Sequence, residues 1–215
     1  MNKSDGNRSV QRCLALLQAF RNSPSLTLTE LSRSVDLSHS TVIRFLNTLE
    51  REGYVRKDNL AWSLTPQMLE LGFAALESMG VTESVQQTLQ RLADECSGTA
   101  NLGEKNGDHI TIIGRATAAA ERRRLLIMNL RVGSSLPATS ALYSALSMKS
   151  DEWSVVEYPK GDHISVAIPV MVSNTRALTL GVSMSLTDYP LSRIENEVLP
   201  FLKKERLYIE GVLRL

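Results

Sequence analysis

Apolar residues recur along this chain with two different periods, and the changes of period mark its elements. Between Leu26 and Val55 the helical period dominates: Thr27 to Val35 predicts a short helix, Asp36 and Leu37 a tight corner, and Ser38 to Arg51 a longer helix. At about 100° per residue, Val42, Phe45, Leu46 and Leu49 of that longer helix fall on one side, and Ser40, Arg44, Asn47, Thr48 and Arg51 on the other. One stripe is core and the other is free, the layout of a DNA-reading helix-turn-helix. After Gly53 the period changes to strand. Tyr54 to Lys57 leads out, Asp58 and Asn59 turn, and Leu60 to Leu64 returns, which supplies a wing.

The free stripe carries the chemistry that reading requires. Ser38 is placed to cap the helix, its hydroxyl satisfying an otherwise unpaired backbone N–H of the first turn. His39, Ser40, Thr41 and Arg44 lie just inside that turn, with Asn47 one turn further, and no acidic residue stands on the face before Glu50. Arg donates twice to guanine, Asn bonds adenine bidentately, and Ser or Thr serves a base edge or a phosphate. On the wing, Arg56 and Lys57 suit phosphate or the minor groove, contacts that fix register more than sequence preference.

Elsewhere the pattern predicts a helix over Ser9 to Phe20 with Val10, Leu14, Ala15 and Leu17 inward, ended by Asn22 to Ser25. A Pro-started helix from Thr65-Pro66 to about Ser78 is apolar on most sides and must be covered, either by a second copy, the economical answer, or by packing against its own domain. Beyond Gly80, Thr82 to Cys96 reads as an amphipathic helix. Asn101 to Lys105 and His109 to Arg115 read as a hairpin turned by Asn106-Gly107-Asp108, and Leu125 to Arg131 as a further strand. A loop at Gly133 to Pro137 precedes a short helix over Thr139 to Met148. Strands over His163 to Met171 and Ala177 to Ser185 follow, then a C-terminal helix opened by a Ser192/Glu195 capping box and bent at Pro200. The class is α+β: a winged helix-turn-helix domain over 1–65, a linker helix over 66–80 and an antiparallel-sheet sensor domain over 81–215.

Composition narrows this reading. A length of 215 residues with 43% hydrophobic content allows two packed cores. Residues 1–65 carry nine Lys or Arg against six Asp or Glu, a net +3, and the remainder fifteen against seventeen, a net −2, so near-neutrality of the whole hides an asymmetry in the direction DNA requires. No apolar run spans a bilayer and the start has no signal-like segment, which predicts a cytoplasmic protein without a membrane partner. Cys13 and Cys96 belong to separate helices and predict no disulfide. His39, His109 and His163 are isolated, and neither a zinc spacing nor a Gly-rich phosphate loop appears. The expectation is a non-enzyme with no cofactor and no metal, whose partner is double-stranded operator DNA.

With these elements in view the chain resembles the IclR family of bacterial transcriptional regulators over nearly its whole length. The similarity rests on Leu26 to Val55, Leu64 to Phe73, Leu126 to Pro137 and Ile164 to Val170. The second and third stretches resemble the branch that controls aromatic-acid catabolism through the β-ketoadipate pathway. The resemblance implies a GAF-like C-terminal effector domain, assembly as a homodimer or tetramer, and a small organic acid effector such as protocatechuate or 4-hydroxybenzoate. By position, the effector site would draw on Ser140, Ser165, Ser183 and Ser185, with Arg131 available to neutralise the acid. Ser183 and Ser185, two apart in a predicted strand, would face the same way. In one respect the chain departs from the family: a helical segment of several dozen residues that normally follows Met148 is reduced to Lys149 to Lys160. A site short of a wall would sense its ligand weakly or differently, and in the limit the domain would serve assembly alone, leaving ligand-independent DNA binding.

Overall fold

The computed structural model describes residues 6–119, 121, 130–158, 162–173 and 175–214. It forms two compact units, the first ending at Ala75 and the second beginning at Leu76.

In the first unit, α1 (Arg8–Ala19) runs into a 3-10 turn (Phe20–Asn22), and β1 (Leu26–Thr27) leads to α2 (Leu28–Val35) and α3 (His39–Arg51). The hairpin of β2 (Val55–Asp58) and β3 (Ala61–Leu64) follows, then α4 (Gln67–Ser78), whose last residues belong to the second unit. Thr27 starts α2 with a reciprocal capping box, accepting from the Glu30 N–H while the Glu30 carboxylate takes the Thr27 N–H at 2.8 Å. Asp36 ends α2 in the left-handed region (φ 51°), which turns the chain sharply into α3. Leu16, Phe20, Leu31, Val42, Leu46, Leu49, Val55 and Trp62 form the core.

Two local expectations are corrected here. The buried side of α1 is Leu16, with Cys13 and Leu17 half-buried, whereas Val10 and Leu14 are each 53% exposed and Ala15 is exposed. Apolar residues occupy more than one side of α1, and α2 and α3 take the side that continues into Phe20. The wing turn is Asn59-Leu60, one residue later than expected, because Asn59 is the residue that adopts positive φ (54°), which leaves Asp58 paired with Ala61.

The second unit is built on a six-stranded antiparallel sheet in the order β6-β5-β4-β9-β8-β7. Its strands are β4 (Thr99–Asn106), β5 (His109–Thr117), β6 (Ser135–Leu136), β7 (Ser154–Tyr158), β8 (His163–Ser173) and β9 (Arg176–Met184). One face, through Leu102, Ile164, Val166, Ile168, Leu180 and Val182, packs on α5 (Glu83–Glu95) and the C-terminal α8 (Leu199–Leu213). The other face receives α6 (Ala141–Ala145), where Ile110, Ala141, Leu142, Ala145 and Ala167 form a smaller core. Where β4 begins, the backbones of β4 and β9 nearly touch: a Cβ added at Gly98 would lie 2.1 Å from the Ser183 carbonyl oxygen, so only glycine fits.

Most of the expected strand over Leu125 to Arg131 lies outside the described residues. β7 was not foreseen; it occupies the shortened connection and adds an edge strand against β8, Val155 opposite Val166. The preceding turn is tied to α8 by the Arg206 guanidinium, which donates to Ser150 O, and by Lys203 Nζ, which donates to Asp151 O at 3.1 Å. The expected Ser192 cap is not used. The helix is capped two residues earlier, with Pro190 as N-cap before α7 (Leu191–Arg193), and a π-helical turn (Ile194–Val198) joins α7 to α8. Pro200 explains that turn. It has no N–H for the Asn196 carbonyl and its ring crowds that oxygen, so the ladder widens and the Leu199 N–H reaches back to Ile194 O.

Candidate nucleic-acid face and ligand cavity

On α3, Val42, Leu46 and Leu49 are buried and Phe45 is half-buried, so the stripe expected to be core anchors the helix. Opposite, His39, Ser40, Arg44, Asn47, Thr48 and Arg51 are exposed. Ser38 caps the helix: its Oγ accepts the Thr41 N–H at 3.3 Å and shares hydrogen bonds with Ser40 Oγ at 3.0 Å and Thr41 Oγ1 at 2.9 Å. Three hydroxyls are therefore gathered at the positive end of a 13-residue helix, with Arg44 one turn on. This is a polar, cation-bearing edge with its hydrogen-bonding groups directed to solvent.

The wing's two cations are partly committed. Arg56 Nε donates to Ser63 Oγ at 3.3 Å across the hairpin, and Lys57 lays its ammonium 5.9 Å from the Trp62 ring centroid. The Lys57 N–H donates to the Glu50 carboxylate at 3.3 Å, which ties the wing to α3. Both cations project from β2, short of the tip at Asn59-Leu60.

The second unit contains a cavity of about 220 Å³ between the sheet and the start of α6. Thr139 and Ser140 line it beside α6, and five strands supply the rest of its polar lining: Arg115 of β5, Thr99 and Asn101 of β4, Ser183 of β9, Ser165 and His163 of β8 and Tyr158 of β7. Strand register explains the convergence, since Arg115 stands opposite Asn101, Thr99 opposite Ser183 and Ser183 opposite Ser165. Apolar walls come from Leu130, Leu136, Pro137, Ala141 and Leu142. Arg115 donates to the Asn101 side-chain oxygen, and no carboxylate among the described residues pairs with it. Burial lowers its affinity for the proton. His163 is likewise held below the usual imidazole value, first by burial and then by the Arg115 charge, with Asp162 opposing.

Of the five residues suggested for an effector, the structure brings three to this cavity. Ser165 and Ser183 share a 2.8 Å hydrogen bond, and Ser165 Oγ lies 3.3 Å from His163 Nε2. Ser140 also lines it, but its hydroxyl caps α6, donating to Pro137 O at 2.8 Å and accepting the Tyr143 N–H at 3.2 Å. Ser185 does not line it. β9 ends at Met184, and Ser185 Oγ donates to Asp162 Oδ2 at 2.8 Å. Arg131 does not line the cavity but borders an adjoining open groove with Gln86 and Gln90, which shares Arg115 and Leu130 with it. Sequence reasoning missed Arg115, Asn101, Thr99 and His163. The signal available was alternation in His109 to Thr117, which places Arg115 on the same side of β5 as Thr117.

Among the described residues no group of three His, Cys, Asp or Glu could hold a metal ion, and no helix is long and apolar enough to cross a membrane.

Comparison with known proteins matches residues 9–59 to the IclR helix-turn-helix domain. The chain is 34% identical over 152 residues to the Pca regulon regulatory protein of Pseudomonas putida, covering 70% of this chain and 51% of that protein. It is 32% identical over 142 residues to the HTH-type transcriptional regulator KdgR of Escherichia coli, covering 65% and 51%. The chain thus spans about half the length of these curated relatives. Over the whole chain the fold is that of a solved transcriptional regulator from Alicyclobacillus acidocaldarius (TM-score 0.80, 20% identity, 97% and 99% covered). It is also that of an IclR homolog from Microbacterium hydrocarbonoxydans solved in complex with 4-hydroxybenzoate (TM-score 0.71, 15% identity, 96% and 99% covered).

Proposed function

We propose that this chain, which belongs to the IclR family, is a sequence-specific DNA-binding transcriptional regulator acting in the cytoplasm and answering to a small aromatic or carboxylic acid. The observation that carries the reading is the outward stripe of α3, whose polar residues are left in water while its apolar ones are buried. Ser38, His39, Ser40 and Thr41 then meet phosphate and base edges at the start of the helix. Arg44 and Asn47 read bases in the major groove, and Arg56 and Lys57 of β2 hold backbone. In this reading residues 1–65 form the DNA-binding domain, 66–80 the linker helix and 81–215 the effector domain.

Leu69, Leu71 and Phe73 of α4 are 60%, 56% and 63% exposed, which supports self-association through this helix into a homodimer or larger even assembly. Ligand in the cavity would bias the spacing of paired winged domains and so their fit to half-sites. Similarity to a Pca regulon regulator, and to a fold solved with 4-hydroxybenzoate, supports protocatechuate or 4-hydroxybenzoate as the first acids to try.

The test has two steps. Genomic fragments retained by the protein give the operator. Fluorescence anisotropy on that operator and on scrambled DNA, at two salt concentrations, then measures affinity with and without each acid. Equal affinity for operator and scrambled DNA removes the regulator reading. Specific binding unmoved by any acid leaves the ligand-independent DNA-binding reading in its place.

A further inference from the structure

We infer that the cavity selects acids with a single charged end: a carboxylate docked on Arg115 beside Asn101 and Thr99, and an uncharged hydrogen-bonding group at the far end against Ser165, Ser183 and His163. This rests on the reading of the cavity as the ligand site and narrows it to a class.

Two independent features mark the charged end. Arg115 is a half-buried cation whose side chain, among the described residues, hydrogen-bonds to the neutral Asn101, so an anion there would meet a charge that no described carboxylate has neutralised. Thr99, 1% exposed, lines the same cavity, and its buried Oγ1 has no hydrogen-bond partner. A buried hydroxyl left unmated costs free energy that a bound oxygen would recover.

The far end is different in kind. Ser165 and Ser183 already share a hydrogen bond and His163 stands next to them, so the groups on offer are two hydroxyls and an imidazole. Burial and the Arg115 charge keep that imidazole neutral near pH 7, and burial keeps the neighbouring Tyr158 phenol protonated. The carboxylate at this end belongs to Asp162, whose oxygens accept from Ser185 and Thr187. A hydroxyl placed here finds both donors and acceptors. Among the described residues the one cation in reach is Arg115, already taken by the first carboxylate, so a second must lose water without a charge of its own to meet. Leu136, Pro137 and Leu142 line the α6 side of the space and suit an apolar body such as a ring.

The experiment is calorimetric titration of the full chain with three ligands of one shape: 4-hydroxybenzoate, its uncharged amide 4-hydroxybenzamide, and terephthalate, in which a second carboxylate replaces the hydroxyl. Wild type is expected to bind the hydroxy acid at least tenfold more tightly than either of the others. Arg115→Gln should lose at least tenfold for the acid and little for the amide, while Arg115→Lys retains the preference for acid over amide. Terephthalate bound as tightly as the hydroxy acid, or acid affinity unchanged in Arg115→Gln, overturns the proposal and leaves the cavity as a ligand site. Binding of none of the three by wild type overturns both. The wild-type series decides the question even where a variant fails to fold.

Discussion

Replacing Ser38 separates what α3 contributes to folding from the DNA contact proposed for it. Ser38→Ala deletes the acceptor of the Thr41 N–H and the hydroxyl shared with Ser40 and Thr41. All of these groups are solvent-exposed, so water replaces part of what is lost, and the expected cost is that of an ordinary N-cap, about 1 kcal/mol. Ser38→Asp keeps an acceptor at the cap and places negative charge at the positive end of the helix, so stability should hold or rise by a few tenths of a kcal/mol. With α3 docked as proposed, the same carboxylate would face phosphate. At about 8 Å and an effective dielectric constant of about 20, each such pair costs roughly 2 kcal/mol, close to thirtyfold in affinity before screening. The chain has two tryptophans, Trp62 in the first unit's core and Trp153 packed against the second's, so a Trp153→Phe background leaves Trp62 to report the winged unit alone. Urea unfolding followed by Trp62 emission should show Ser38→Ala destabilised and Ser38→Asp unchanged, while anisotropy at about 50 mM salt shows Ser38→Asp as the weaker DNA binder of the two. An Asp variant that binds operator as tightly as wild type would refute the placement of this helix end against DNA.

Arg44→Ala should weaken operator binding by about 1–3 kcal/mol while barely changing affinity for scrambled DNA, and Lys57→Ala should weaken both alike and flatten the salt slope, as paired anisotropy titrations will show. Cys96 is buried and its thiol is pushed up to about 12 by burial and then by Glu95. At pH 8 a thiol reagent should therefore label Cys13 slowly and Cys96 only on unfolding, and rapid modification of Cys13→Ser would contradict this. Gly98→Ala should cost about 3 kcal/mol in the second unit, read by Trp153 in a Trp62→Phe background, because the new methyl meets the Ser183 carbonyl. His163 has its folded value below the unfolded 6.5, so the unfolded chain binds the proton first: this contribution is nil above that pH and lowers stability as pH falls through it. His163→Gln should flatten that part of the stability profile.

What could be read from the sequence was whatever a single period decides. The two sides of α3 were legible because Val42, Leu46 and Leu49 share one stripe and no apolar residue competes on the other. α1 misled because Val10 and Leu14 are as apolar as Leu16, and only the placement of α2 and α3 says which side is covered. Strand alternation carries Ser183 into the cavity but does not reach Ser185. β9 stops at Met184, and Ser185 turns to Asp162. Ser154 to Tyr158 is too short to stand out from its polar surroundings and becomes a strand only because β8 is there to pair with it. Arg115 was invisible as a site residue because its meaning depends on Asn101 and Thr99 of the neighbouring strand, a matter of register and not of composition.

The wet leucines and phenylalanine of α4 carry a consequence for dosage. Apolar area held in water is penalised at about 25 cal/mol per Å², and if self-association is the cover, mass action would convert that drive into pairing only above some threshold of copy number. With a second copy as the cover, operator occupancy at low abundance rises with at least the square of protein concentration. Halving expression would then remove more than half of the bound complex, and the switch would be steep in the protein itself before any acid reaches it.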